Sequence, residues 1–164
     1  MFLGHESLAE RIKKQSLVEN FLQESIQGSG VDFRIGELFE VSSSAFLGEN
    51  KRELPELKPV KSKNNAFVLK PNKYYLLKTV ERVNMPDDLI AFILNRSSLF
   101  RCGASIRSAV IDPGYRGELT LGIKNESSFE VKIEKGARVA QVVFAKVEGK
   151  TKEYKGRYQG GKAV

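Results

Sequence analysis

Apolar residues fall at every second position along much of this chain, in short stretches bounded by turn formers. Leu119, Leu121 and Ile123 alternate with polar or small residues, as do Phe129, Val131 and Ile133. That spacing sends one face of a strand inward and the other to water. Asn125-Glu-Ser-Ser128 is the predicted turn between these two strands. Ala66–Leu69 and Tyr74–Val80 also have strand character, and the nearly continuous apolar run Leu89–Leu94 predicts a buried strand. Val139–Phe144, continuing to Val147, predicts a final one. A single segment departs from this period: Ser7-Leu-Ala-Glu10 fits a capping box, and Leu8 and Ile12 lie four apart on one helical face. Residues 7 to about 15 are therefore predicted as a short N-terminal packing helix.

The remaining stretches read as connections. Leu17–Ile26 mixes apolar and acidic residues and runs into Gln27–Arg34, where Gly28 and Gly30 allow a tight turn. Residues 42–66 are rich in Ser, Lys, Asn and Glu, carry Pro55 and Pro59, and lack periodicity, which predicts a long exposed loop. There is no internal repeat, and 164 residues suit one domain with a proper core. Many short strands, frequent turns and one helix predict an all-β sandwich or barrel. Residues 152–164 are basic and glycine-rich with almost nothing aliphatic to bury. They are expected to form a flexible C-terminal arm, either a solubilising terminus or a segment that an anion orders.

Charge and rare residues narrow the function. A net charge of +7 favours anionic ligands. The chain has no Trp and no long Lys/Arg block, and its aromatics lie within apolar stretches, which argues against nonspecific nucleic-acid binding. One cysteine, Cys102, and one histidine, His5, exclude an internal disulfide and leave almost no soft ligands for zinc or iron. Any metal is expected to be a hard cation such as Mg2+, held by carboxylates or by a substrate's phosphates. Cys102 has no histidine partner to activate it, and His5 reads as a surface residue near the terminus. Phe100, Phe129 and Phe144 read as core. No apolar run approaches the roughly 20 residues that cross a bilayer, and the amino terminus lacks signal-peptide features. No membrane partner and a cytoplasmic location are expected.

Two constellations carry candidate chemistry. Asn95-Arg-Ser-Ser-Leu-Phe-Arg101 places Arg96, Ser97, Ser98 and Arg101 where the chain leaves an apolar strand. The planar guanidinium fork makes charge-assisted, often bidentate bonds to phosphate oxygens, and serine hydroxyls can join them; the same residues also suit a plain surface turn. Ten residues beyond Arg101, Ile111-Asp-Pro-Gly-Tyr-Arg-Gly-Glu118 delivers Asp112 to a Pro-Gly corner. That carboxylate could orient and deprotonate a water, or it could satisfy the turn's own N–H groups.

Ser29-Gly-Val-Asp-Phe-Arg34, Arg96-Ser-Ser-Leu99, Ala109-Val-Ile-Asp-Pro-Gly-Tyr-Arg-Gly117, Gly136-Ala-Arg-Val-Ala-Gln-Val-Val-Phe144 and Gly156-Arg-Tyr-Gln-Gly160 resemble, in order, five motifs of the dUTPase and dCTP deaminase superfamily. The resemblance covers the chain from about residue 8 onward. It implies a distorted β-sandwich or jelly-roll-like (β-clip) barrel, usually a homotrimer whose active sites draw on neighbouring subunits. It also implies that Asp112 holds the attacking water and that Arg96 and Ser97, with Ser98 and Arg101, contact the phosphates. Gln141 would contact nucleotide or phosphate, and Tyr115 would lie beneath the deoxyribose. Backbone groups around Ala104–Val110, including Ala109 and Val110, would select the base. Arg157, Tyr158 and Gln159 would close over the triphosphate from another chain. Mg2+ would be held mainly by the substrate's phosphates, with Asp32 supporting the metal-water network.

The superfamily carries two activities, and one residue separates them. Deaminases resemble this chain except for a glutamate ten residues after the motif aspartate, which shuttles protons beside the base; counted from Asp112, that position is Gly122. Glu118 lies four residues earlier, roughly 13 Å along a strand. The expected activity is therefore that of a dUTP diphosphatase, hydrolysing dUTP to dUMP and pyrophosphate. The alternatives are a dCTP deaminase or bifunctional enzyme and, outside the superfamily, a nonenzymatic β-fold anion or nucleic-acid binder.

Overall fold

The computed structural model describes residues 1–163. Its helix α1 spans His5–Gln15, two residues earlier than the capping box predicts. Gly4 is the N-cap and makes no side-chain cap bond, so Ser7 sits within the first turn. Leu8 and Ile12 are buried, as their spacing requires. The strands follow as β1 (Val18–Glu19), β2 (Val31–Val41), β3 (Phe46–Leu47), β4 (Arg52–Glu53), β5 (Leu57–Pro59), β6 (Ala66–Leu69), β7 (Tyr74–Asn84) and β8 (Leu89–Asn95). A one-turn helix α2 (Ser97–Arg101) leads to β9 (Ala104–Arg107), β10 (Arg116–Asn125), β11 (Val131–Glu134) and β12 (Arg138–Lys146).

The main sheet has the order β8-β12-β2-β7-β10-β9, with β1 added on β7 and β5 on β2. It nearly closes into a barrel, and one rung bridges its two ends. Ala91 of β8 and Ile111, four residues beyond β9, exchange both backbone hydrogen bonds, at 3.0 and 2.9 Å. Phe33, Ile35, Leu77, Leu121 and Phe144, all at most 2% exposed, fill the interior. The all-β architecture with one short N-terminal helix is as expected.

Several details differ from the sequence expectations. The 42–66 stretch is not a bare loop: β3 and β4 form a small hairpin, and β5 pairs with β2 through Phe39 and Pro59. Asp32 emerges within β2 rather than in the preceding turn, which Gln27 N–H and Gly30 C=O close at 2.8 Å. β8 ends the sheet, and its outer face leaves Phe92 and Leu94 37% and 50% exposed; its unbroken apolar character does not mean burial on both faces within one chain. Phe144 is core, but Phe100 and Phe129 are 52% and 80% exposed, because the first lies on the outer side of α2 and the second precedes β11.

Candidate active site

The corner that carries Asp112 is fixed from both sides. The Ala91–Ile111 rung holds the residue before it. On the other side, Gly114 N–H donates to Met85 C=O at 3.1 Å and Met85 N–H donates to Tyr115 C=O at 2.9 Å. The turn itself is closed by Tyr115 N–H on the backbone oxygen of Asp112. The backbone thus closes the turn, and the exposed carboxylate faces a cleft. Tyr115 is buried beside it; its hydroxyl donates to Glu118 C=O at 2.6 Å, and burial pushes its pKa up to about 12.

That cleft has a volume of about 710 Å³. Asp112, Tyr115, Tyr154 and Tyr158 line one part of it, and Tyr74, Leu76, Arg107 and Gly122 another, with Ala109 and Val110 on the connecting segment. Ala45, Leu54 and Pro55 supply a further wall, so the stretch expected to be an exposed loop borders the candidate site. Asp112 is the one carboxylate among the described lining residues. Glu118 is turned instead toward Arg82 and Lys78, at 3.5 and 3.9 Å.

Gly122 pairs with Leu76 on one side and with Arg107 on the other. Across it lies Tyr74: a methyl group built at position 122 would sit 2.3 Å from the Tyr74 hydroxyl oxygen. The place of the absent side chain is filled by a phenol. Tyr74 and Arg107 were not singled out from sequence, since only the strand register brings them to Gly122.

The C-terminal arm is docked on its own chain, not free. Tyr154 N–H donates to Pro113 C=O at 2.7 Å and Gly160 N–H to Arg116 C=O at 2.8 Å. The Gln159 side chain accepts from Arg116 N–H at 2.7 Å and donates to Gly114 C=O at 2.9 Å. Tyr154 packs edge-on against Tyr115, ring centroids 5.6 Å apart. Gly117, at φ +141°, lets the arm approach closely: a Cβ there would lie 2.4 Å from Gly161 N. Without an anion the arm already has a seat, which its short aliphatic content did not foretell; Tyr154 was the overlooked signal. Gln159 is engaged with the turn, Tyr158 lines the cleft, and Arg157 is exposed.

The remaining predicted residues gather elsewhere. Arg96, Ser97, Ser98, Arg101, Gln141 and Asp32 do not line this cleft. Asp32, 2% exposed, lies 3.3 Å from Arg96 Nε and 3.5 Å from the Arg138 guanidinium, and accepts from Gln27 Nε2 at 3.2 Å. Burial pushes its carboxyl pKa up, while the two guanidiniums and Gln27 oppose that shift. Gln141 pairs with Asp32 across β12 and β2. Arg101 is exposed and stacks over Phe100 at 5.3 Å. A single chain therefore holds the candidate site in two halves.

The dCTP deaminase-like family pattern matches residues 2–147. The chain belongs to the dCTP deaminase-like family. A dCTP deaminase of Pyrococcus furiosus is 36% identical over 92% of this chain and 88% of its own length. A dUMP-forming dCTP deaminase of a Sulfurihydrogenibium species is 34% identical over 98% and 92%. Among solved structures, dCTP deaminase from Agrobacterium tumefaciens superposes with a TM-score of 0.69 at 20% identity over 87% of this chain, which spans 47% of that protein. In this dCTP deaminase-like chain, the described residues that line the cleft around Gly122 include a phenol and a guanidinium and no carboxylate, while Glu126 accepts from that guanidinium at 2.7 Å from outside the lining.

Among the described residues, no helix is long and apolar enough to cross a membrane, and no group of three His, Cys, Asp or Glu side chains could hold a metal ion.

Proposed function

We propose that this chain forms dUMP by hydrolysing the α–β phosphoanhydride of dUTP. The observation that supports this most is that Asp112 is the one carboxylate among the described residues that line the cleft. Asp112 takes a proton from a water whose oxygen attacks the α-phosphorus; the bond to the bridging oxygen breaks, and pyrophosphate leaves with the electron pair. Basic residues of the second half, Arg96 and Arg101, stabilise the charge that develops on the leaving group. The described residues do not fit a resident metal cage, and Asp32 is already committed to Gln27 and two guanidiniums. Mg2+, if used, arrives on the triphosphate, where it neutralises phosphate charge.

Deamination of dCTP, alone or followed by hydrolysis to dUMP, is the second reading, and the names of the relatives favour it over the first. Against it stands the lining at Gly122, which among the described residues includes no carboxylate. Incubating the purified protein with dUTP, dCTP and dTTP and separating the nucleotides and pyrophosphate decides between them. The first reading expects dUMP from dUTP alone; dUTP or dUMP from dCTP would establish the second. Turnover of none would return the protein to a binding role.

The two-halved site and the open apolar face of β8 support a homotrimer in which one chain's Asp112 cleft meets another's Arg96 region. Sedimentation equilibrium should give three times the 18.4 kDa chain mass; a monomer that turns over nucleotide would refute shared sites.

A further inference from the structure

Cleft residues outside the Asp112 corner include a group that the hydrolysis does not use. Arg107, five residues before Asp112, is the cross-strand partner of Gly122, so the cleft extends up to about 16 Å from the corner at roughly 3.3 Å per residue. With an α-phosphate at Asp112, the far end receives the substrate's base. Three other tyrosine hydroxyls are spent within the fold: Tyr115 donates to Glu118 C=O, Tyr154 accepts from Tyr158 N–H, and Tyr75 accepts from Lys70 N–H; Tyr158 belongs to the arm, at the Asp112 part of the cleft. Tyr74 is different. Its hydroxyl is held over Gly122 inside the cleft, while its ring is still 41% exposed.

We propose that Tyr74 is a specificity-determining residue: its hydroxyl takes the place of the side chain missing at Gly122 and, beside Arg107, donates to the exocyclic oxygen of a 4-oxo pyrimidine in preference to a 4-amino one. A phenol can donate or accept, so its neighbours decide the direction. Burial raises the Tyr74 pKa and the Arg107 charge opposes that shift, so the hydroxyl keeps its proton at neutral pH. The guanidinium attracts the phenol oxygen and turns the hydrogen away from itself, toward the ligand. Among the described residues no carboxylate lines this end to receive an amino group; Glu126, which accepts from Arg107 at 2.7 Å, lies outside the lining. Glu126 counters the Arg107 charge at 2.7 Å, so discrimination rests on the phenol: a base that offers an oxygen accepts from the Tyr74 hydroxyl, and one that offers an amino group sets a second donor against it. Gly122 matters equally, because any larger residue would displace the hydroxyl.

The inference rests on the reading of the cleft as a deoxynucleotide site. It is tested on the full-length protein by calorimetric titration with dUMP and dCMP, and by kcat/KM for dUTP and dCTP. Tyr74→Phe keeps the ring and removes one hydrogen bond, so the dUMP over dCMP preference should fall about three- to tenfold, mainly through weaker dUMP binding. Gly122→Ala should lower the same preference by displacing the Tyr74 hydroxyl together with the edge of its ring, since the methyl would lie 2.3 Å from the oxygen and 2.8 Å from Cε2. Binding of both nucleotides with a preference unchanged by Tyr74→Phe would overturn the role of Tyr74 and leave the site reading intact. Binding of neither nucleotide to the unmutated protein would overturn both, and a preference for dCMP would overturn the assigned donor direction.

Discussion

Replacing Gln159 with alanine isolates the seat of the arm. The side chain contributes two hydrogen bonds to the Asp112 turn, from Arg116 N–H at 2.7 Å and to Gly114 C=O at 2.9 Å. Each is worth about 0.5–1.5 kcal/mol net. Arg116 is exposed, so water replaces part of what it loses, and the expected total is about 1–2 kcal/mol. At about 1.4 kcal/mol per tenfold change, local opening of the arm should become roughly 5–30 times more frequent. Amide hydrogen exchange reads this directly, because Arg116 N–H and Gly160 N–H are bonded only across the arm–turn contact while Leu77 lies in the middle of the sheet. In Gln159→Ala the first two amides should exchange about 5–30 times faster, and Leu77 should not change. If Arg116 and Gly160 exchange equally fast in the unmutated protein, the arm is not seated on its own chain and the reasoning fails.

Other perturbations address the site and the core. Asp112→Asn should retain nucleotide binding while turnover drops by about 10²–10⁴-fold; near-normal turnover removes Asp112 from the chemistry. Tyr115 has a folded pKa of about 12, above its unfolded value of about 10, so its stabilising effect is complete below pH 10 and is lost as the pH rises toward 12. Over two pH units that is about 2.7 kcal/mol, and Tyr115→Phe should flatten the fall of unfolding free energy across pH 10–12 in urea titrations. An equally steep fall in the variant would assign the loss to other groups. Glu81 is fully buried and accepts from Arg34 Nε at 2.5 Å and from Arg34 N–H at 2.7 Å. Glu81→Gln leaves that guanidinium without its counter-charge and should cost about 3–5 kcal/mol, a Tm loss of roughly 6–20 °C by calorimetry; a shift under 2 °C would mean that solvent already screens the pair.

Much of this was legible in the residues, and what was not has a physical reason. The strand at Leu119, Leu121 and Ile123 announces itself because alternation needs only local sequence. Asp112 could be picked out because a Pro-Gly corner behind an apolar pair is a local feature too. Tyr74 over Gly122 could not. It depends on the pairing of β7 with β10 beyond a register shift between Glu118 and Thr120, and a displacement of one residue would have sent Tyr74 to the opposite face. The wall formed by Ala45, Leu54 and Pro55 was hidden for a similar reason, since its polar, proline-bearing sequence carries no period. The apolar run of β8 predicts a buried strand, because sequence records how apolar a strand is and not whether the partner that covers it is the same chain.

The single Ala91–Ile111 rung that bridges the ends of the sheet has a mechanical consequence. It connects the residue before Asp112 to the strand whose outward side carries Phe92 and Leu94. Ala91 does not line the cleft, yet a substitution in β8 that displaced its backbone would displace the mount of Asp112 with it.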